Sequence, residues 1–153
     1  MTKSFTLIEL LIVITIIGIL ATLGISSYFN SLKAAKDARR KSDLSTIQKA
    51  LEVYYQDNQG YPLSLPNNGD PFCHSSGDCW MATYLQKTPF DPNGSAYSYD
   101  SDGTYYKLYS CIENPNDSGP GVDQNGYGLD CSGNNTQPCD PCRYAVTSTN
   151  TTP

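Results

Sequence analysis

Four sets of residues in this chain could do chemistry: six cysteines, a lone carboxylate inside an apolar run, oxygen-bearing side chains in a glycine-rich stretch, and a single histidine. The cysteines, Cys73, Cys79, Cys111, Cys131, Cys139 and Cys142, all fall in the second half. An even count at that density reads as a disulfide framework made in an oxidising place outside the cytoplasm. Their spacings make no pair of CxxC knuckles for zinc, and Cys139 to Cys142 follows a loop and precedes a strand pattern, unlike the strand-to-helix setting of a redox pair. Cys73 is expected to close on Cys79. Cys111 is expected to pair with Cys142, with Cys131 to Cys139 nested inside, because Cys111 ends one strand pattern and Cys142 opens the next. Asp117, Asp123, Asn125 and Asp130, around Gly126 and Gly128, offer the hard oxygens that calcium takes; solvated turn acids are the competing reading. His74 sits inside CHSSGDC, and no Ser/His/Asp arrangement can be assembled around it. The chain reads as a non-enzyme with no certain cofactor.

Glu9 poses the sharper question. From Phe5 to Ile25 nothing else carries a formal charge, and a carboxylate in hydrocarbon costs several kcal/mol unless neutralised or paired. The run has the length of a bilayer-spanning helix. A cleaved secretory signal with a cut near Gly24-Ile25-Ser26 is the alternative, but its apolar core would be shorter and Glu9 would weaken its insertion. A retained anchor fits better.

The elements that must position these residues follow from periodicity. Tyr28, Leu32 and Ala35, then Leu44, Ile47, Leu51 and Tyr54, recur at spacings of three and four, with Lys33, Lys36, Arg40, Asp43, Lys49 and Glu52 between them. That pattern predicts one helix of about fifty residues with a buried stripe and a wet face, stopped by Gly60 and Tyr61-Pro62. Gly18, Gly24 and Ser26-Ser27 weaken its middle, where local unwinding or close helix packing is expected. AYSYDSDGTYYKLYSCI predicts a hairpin with aromatic pairs turning at Ser101-Asp102-Gly103, and Arg143 to Ser148 a third strand. Between them lies a long loop of Gly, Asn, Asp, Pro and Ser that cannot hold itself by burial and needs disulfides or a cation; Asn134-Asn135-Thr136 within it permits a glycan.

Charge is divided along the chain. Residues 1–57 hold seven Lys/Arg against five Asp/Glu, and residues 58–153 hold three against ten. An acidic head is a poor sink for phosphate backbones, so nucleic acid is disfavoured as a partner. The basic segment from Lys33 to Lys41 would by itself draw that end into the cytoplasm; the cysteines place the head outside, and they are the stronger signal.

KSFTLIELLIVITIIGILATLGISSY closely resembles the N-terminus of type IV pilins and type II secretion pseudopilins. The resemblance implies a leader of residues 1–4, cut by a prepilin peptidase between Ser4 and Phe5 with methylation of the new amine; Ser4 stands where the family favours Gly. It implies a membrane and filament-core half-helix at residues 5–29 and a globular head at 30–153. TPFDPNGSAYSY, residues 88–99, is similar to a stretch of major pseudopilins, a group that binds calcium in a comparable loop. Together these imply an α+β fold, a long N-terminal helix with a protruding apolar half packed on a small antiparallel sheet and a disulfide-stapled C-terminal loop. Glu9 then becomes an assembly register, pairing with the Phe5 amine of a neighbouring subunit, and its alternative is an acid that stays protonated or reaches the headgroups. The implied function is subunit of a type IV pilus-like extracellular filament; the alternatives are a secretion or competence pseudopilus subunit, or a low-copy adhesive or DNA-binding tip protein. The implied partners are the chain itself, the prepilin peptidase, an inner-membrane assembly platform and, before assembly, the membrane.

Overall fold

A computed structural model describes residues 5–77, 79–131 and 139–153, with the backbone alone at 23, 24 and 26. One helix, α1 (Leu7–Asn58), carries 52 residues, about 78 Å at 1.5 Å per residue. Thr6 caps its start: the hydroxyl accepts from the Glu9 backbone N–H, and the Glu9 carboxylate accepts from the Thr6 N–H at 2.9 Å. This is the reciprocal capping box of a Thr-x-x-Glu sequence. The helix ends at Gln59, whose φ of 57° is left-handed and whose N–H donates to the Tyr55 carbonyl. Gly60, the expected stop, instead lets the chain pass closely by Gly103, whose carbonyl accepts from the Tyr61 N–H at 2.9 Å.

No break occurs at Gly18, Gly24 or Ser26, where unwinding was one expectation. A glycine costs a helix about 1 kcal/mol, whereas restarting one requires a new and unfavourable nucleus.

The head is built on the second half of α1. A three-stranded antiparallel sheet, β3 (Ser98–Ser101), β4 (Tyr106–Ser110) and β5 (Tyr144–Thr147), runs in sequence order, with Tyr99 opposite Leu108 and Leu108 opposite Val146. Alternation puts Tyr99, Tyr106, Leu108, Tyr144 and Val146 on one face. That face closes on Leu44, Ile47, Leu51 and Tyr54 of α1 as a single core. A smaller pair, β1 (Phe72–Cys73) and β2 (Thr83–Leu85), covers the far end of the helix, where the Tyr54 and Phe72 rings stack at 5.3 Å. This pair had no clear sequence signal, because two or three residues are too few to show alternation.

The buried stripe differs from the expected one at its upper end. Tyr28 and Leu32 are exposed, and the stripe continues upward from Leu44 through Arg40 and Asp37, both fully buried. The spacing 37, 40, 44, 47, 51, 54 is one unbroken helical face. The charge of Arg40 predicts the wet side; Asp91 and Glu113, from two loops, draw it inward.

Candidate functional site

The first candidate site is the exposed apolar half of α1. Leu7, Ile8, Leu10 to Ile14, Ile16, Ile17, Ile19, Leu20, Ile25 and Phe29 all stand clear of the head. The helix is long and apolar enough to cross a membrane. Burial begins only at Lys36 and Asp37. Glu9 sits at the start of this surface, and its Oε2 also accepts from the Thr6 hydroxyl at 2.8 Å. The Thr6 role escaped sequence reading, although Thr-Leu-Ile-Glu carries the capping signal. Ser4, on the leader side of the expected cut, lies outside the described residues, as do Asn134, Asn135 and Thr136.

A second feature is the charged top of the core. Arg40 is 0% exposed and holds three carboxylates: Asp37 at 2.7 Å, Asp91 at 2.6 and 3.1 Å, and Glu113 at 2.8 Å. Asp37 also accepts the backbone N–H groups of Glu113 and Asn114. Burial works against the guanidinium charge, and the hydrogen bonds it donates to Asp91 and Glu113 outweigh it, so the Arg40 pKa is raised. Full satisfaction of this kind makes a buried charge tolerable. The cluster ties α1 to the stretch before β3 and to the start of the β4–β5 loop at the point where the helix leaves the head. It fixes the direction in which the apolar half protrudes.

The six cysteines form three disulfides, Cys73–Cys79, Cys111–Cys139 and Cys131–Cys142. The second and third correct the expected nested pairing. Ser110 lies opposite Tyr144, so one further step of the antiparallel register brings Arg143, not Cys142, opposite Cys111. Cys142 instead packs with Tyr109 and Ala145, on the sheet face away from the helix core, where Cys131 and Tyr127 cover it. Cys139 and Cys142 belong to different disulfides and are no redox pair.

The loop acids do not converge. Calcium takes six to eight oxygens at 2.3–2.6 Å. Both carboxylate oxygens of Asp117 face the Lys41 ammonium, at 2.8 and 2.6 Å, and Asp123 Oδ1 accepts from the Asn125 N–H at 2.9 Å. Among the described residues, no three His, Cys, Asp or Glu side chains group as metal ligands. Asp117 and Asp123 thus each have a partner within the chain. His74 lies in the loop closed by Cys73–Cys79, its Nδ1 3.3 Å from the Ser76 hydroxyl.

The family model for type II secretion system protein G matches residues 27–126, and the prokaryotic N-terminal methylation motif matches residues 1–25. The chain belongs to the type II secretion system protein G family. It is 35% identical over 119 residues to the type II secretion system core protein G of Pseudomonas aeruginosa, covering 71% of this chain and 81% of that one. The core protein G of Vibrio cholerae is 30% identical over 109 residues, 65% of this chain and 71% of the relative. That of Escherichia coli K12 is 29% identical over 117 residues, 71% and 79% of the two chains. No solved structure matches. The family is one of secretion-system components, not of enzymes. Of the expectations from sequence, these relatives support the secretion alternative better than the coarser one of a pilus-like filament. The methylation motif and the apolar helix fit a membrane-anchored precursor.

Proposed function

We propose that this chain is a structural subunit of a type II secretion pseudopilus, anchored in the membrane as a precursor and then polymerised through its N-terminal helix with the head on the extracytoplasmic side. The observation that carries the reading is the division of one unbroken helix: residues 37 to 54 complete the core of the head, while every described side chain of the apolar half before Lys36 is exposed. An apolar surface of that length is stable in a bilayer or against copies of itself. A bundle of identical helices supplies the second environment, and the membrane supplies the first.

In this reading a prepilin peptidase cuts between Ser4 and Phe5, and the Phe5 amine of an incoming subunit replaces the Thr6 N–H and hydroxyl as the partner of Glu9 on its neighbour. The carboxylate thereby sets the axial register between subunits. An inner-membrane assembly platform delivers each subunit from the bilayer. Tyrosines on the sheet serve packing, and the net negative charge of the head disfavours nucleic acid, with Lys33, Lys36, Arg39 and Lys41 as its local basic patch.

A strain lacking this chain separates the secretion branch from the pilus branch. Secreted proteins should accumulate in the periplasm while surface filaments persist. Normal secretion with loss of surface filaments would return the chain to the pilus reading.

A further inference from the structure

The β4–β5 loop, expected to need disulfides or a cation, already contains a cation. Lys41 of α1 reaches into it: Nζ lies 2.8 and 2.6 Å from the two oxygens of Asp117 and 5.6 Å from the centre of the Tyr144 ring, over its face. The loop is wound around this point. Asp117 Oδ1 also accepts the Gly119 N–H at 3.1 Å, the Asp117 N–H donates to the Asn114 carbonyl, and the Gln124 side-chain amide donates to the Asp117 carbonyl. A Cβ at Gly119 would stand 3.3 Å from Lys41 Nζ, so glycine leaves the room that the ammonium uses.

We propose that the Lys41 ammonium is the resident cation of this loop and holds it in place of a bound metal ion, so that the head is stable without calcium. The inference goes beyond the secretion reading and does not depend on it. A dication seeking Asp117 would have to displace an ammonium tethered to the same chain, whose effective concentration far exceeds that of a free ion. The Lys41 hydrogen bond also holds the Asp117 carboxyl below its ordinary pKa, keeping it ionised as the ammonium's partner. Beyond this contact, Cys111–Cys139 and Cys131–Cys142 restrain the rest of the loop.

The test uses the full chain in detergent micelles, melted in calcium chloride and in chelator, as wild type, Lys41→Met, Asp117→Asn and the double variant. Wild type should melt at the same temperature in both. Each single variant should lose about 2–4 °C, with faster amide exchange across residues 117–124, and the double variant should lose no more than the larger of the two single losses, because both remove the Lys41–Asp117 contact. A saturable rise in the wild-type melting temperature as calcium reaches ~1 mM, the weak end of extracellular calcium modules, would overturn the proposal. So would an Asp117→Asn variant that melts like wild type. Should Lys41→Met fail to fold, those two measurements still decide.

Discussion

Arg40 Nε lies 2.6 Å from Asp91 Oδ2, and both side chains are buried, so the helix and the stretch before β3 are joined from inside the protein. With Asp37 and Glu113 on the same guanidinium, one cation is shared by three carboxylates, and the Lys36 ammonium lies 3.7 Å from Glu113 at the edge of the cluster. Arg40→Met leaves Asp37 and Asp91 buried without their counter-charge and should destabilise the head by roughly 3–5 kcal/mol. Arg40→Lys should recover only part, because a point charge cannot replace a planar fork that donates in several directions. Thermal unfolding of the two variants checks the order; equal stability of Arg40→Lys and wild type would contradict it.

Disulfide mapping should return Cys111 with Cys139 and Cys131 with Cys142. Replacing Cys131 and Cys142 together by alanine should cost roughly 3 kcal/mol through the freed loop, visible as a lower midpoint in denaturant. Peptides linking Cys111 to Cys142 would show that the register argument is wrong.

The core tyrosines predict an alkaline limit to stability. Burial, reinforced by the Glu52 carboxylate, pushes the Tyr61 phenol up to about 12, and burial pushes Tyr99 up to about 12. Tyr97 and Tyr106 are also raised, first by burial and then by their hydrogen bonds to Asp43 and Glu52. The folded state favours the neutral phenol, whereas an unfolded tyrosine ionises near pH 10. The contribution is therefore complete below about pH 10 and is lost as pH rises toward 12. Denaturant midpoints followed with phenolate absorbance should fall over that window. Ionisation of all 12 tyrosines together near pH 10, in a chain that stays folded, would rule the account out.

Glu9→Gln should leave membrane insertion intact and impair assembly. The amide is cheap in lipid and can still accept from the Thr6 N–H, but it cannot form an ion pair with an incoming amine. A loss of ~1.4 kcal/mol per added subunit is tenfold in the elongation equilibrium, to be read as filament yield against membrane-bound precursor. Wild-type filament yield would remove Glu9 from the register role.

Much of this architecture was legible because it is periodic. The 3.6-residue stripe from Leu44 to Tyr54 and the Tyr97/Tyr99 alternation announce the helix and the hairpin, and Asp102-Gly103 announces the turn. Arg40 and Asp37 were hidden because their burial depends on Asp91 and Glu113, more than 50 and 70 residues away along the chain. Lys41 and Asp117 were hidden for the same reason, being 76 residues apart along the chain. The cysteine count announced disulfides; their pairing needed the strand register, which a one-residue shift reverses.

Electron cryo-microscopy of filaments formed by this chain tests the central claim most directly. The core should be made of the apolar half-helices, residues 7 to 32 shielded on all sides by copies of themselves, with each Glu9 carboxylate beside a neighbour's Phe5 amine and the heads outside. Filaments held together through the heads, with the apolar half-helices left outside the subunit contacts, would contradict it.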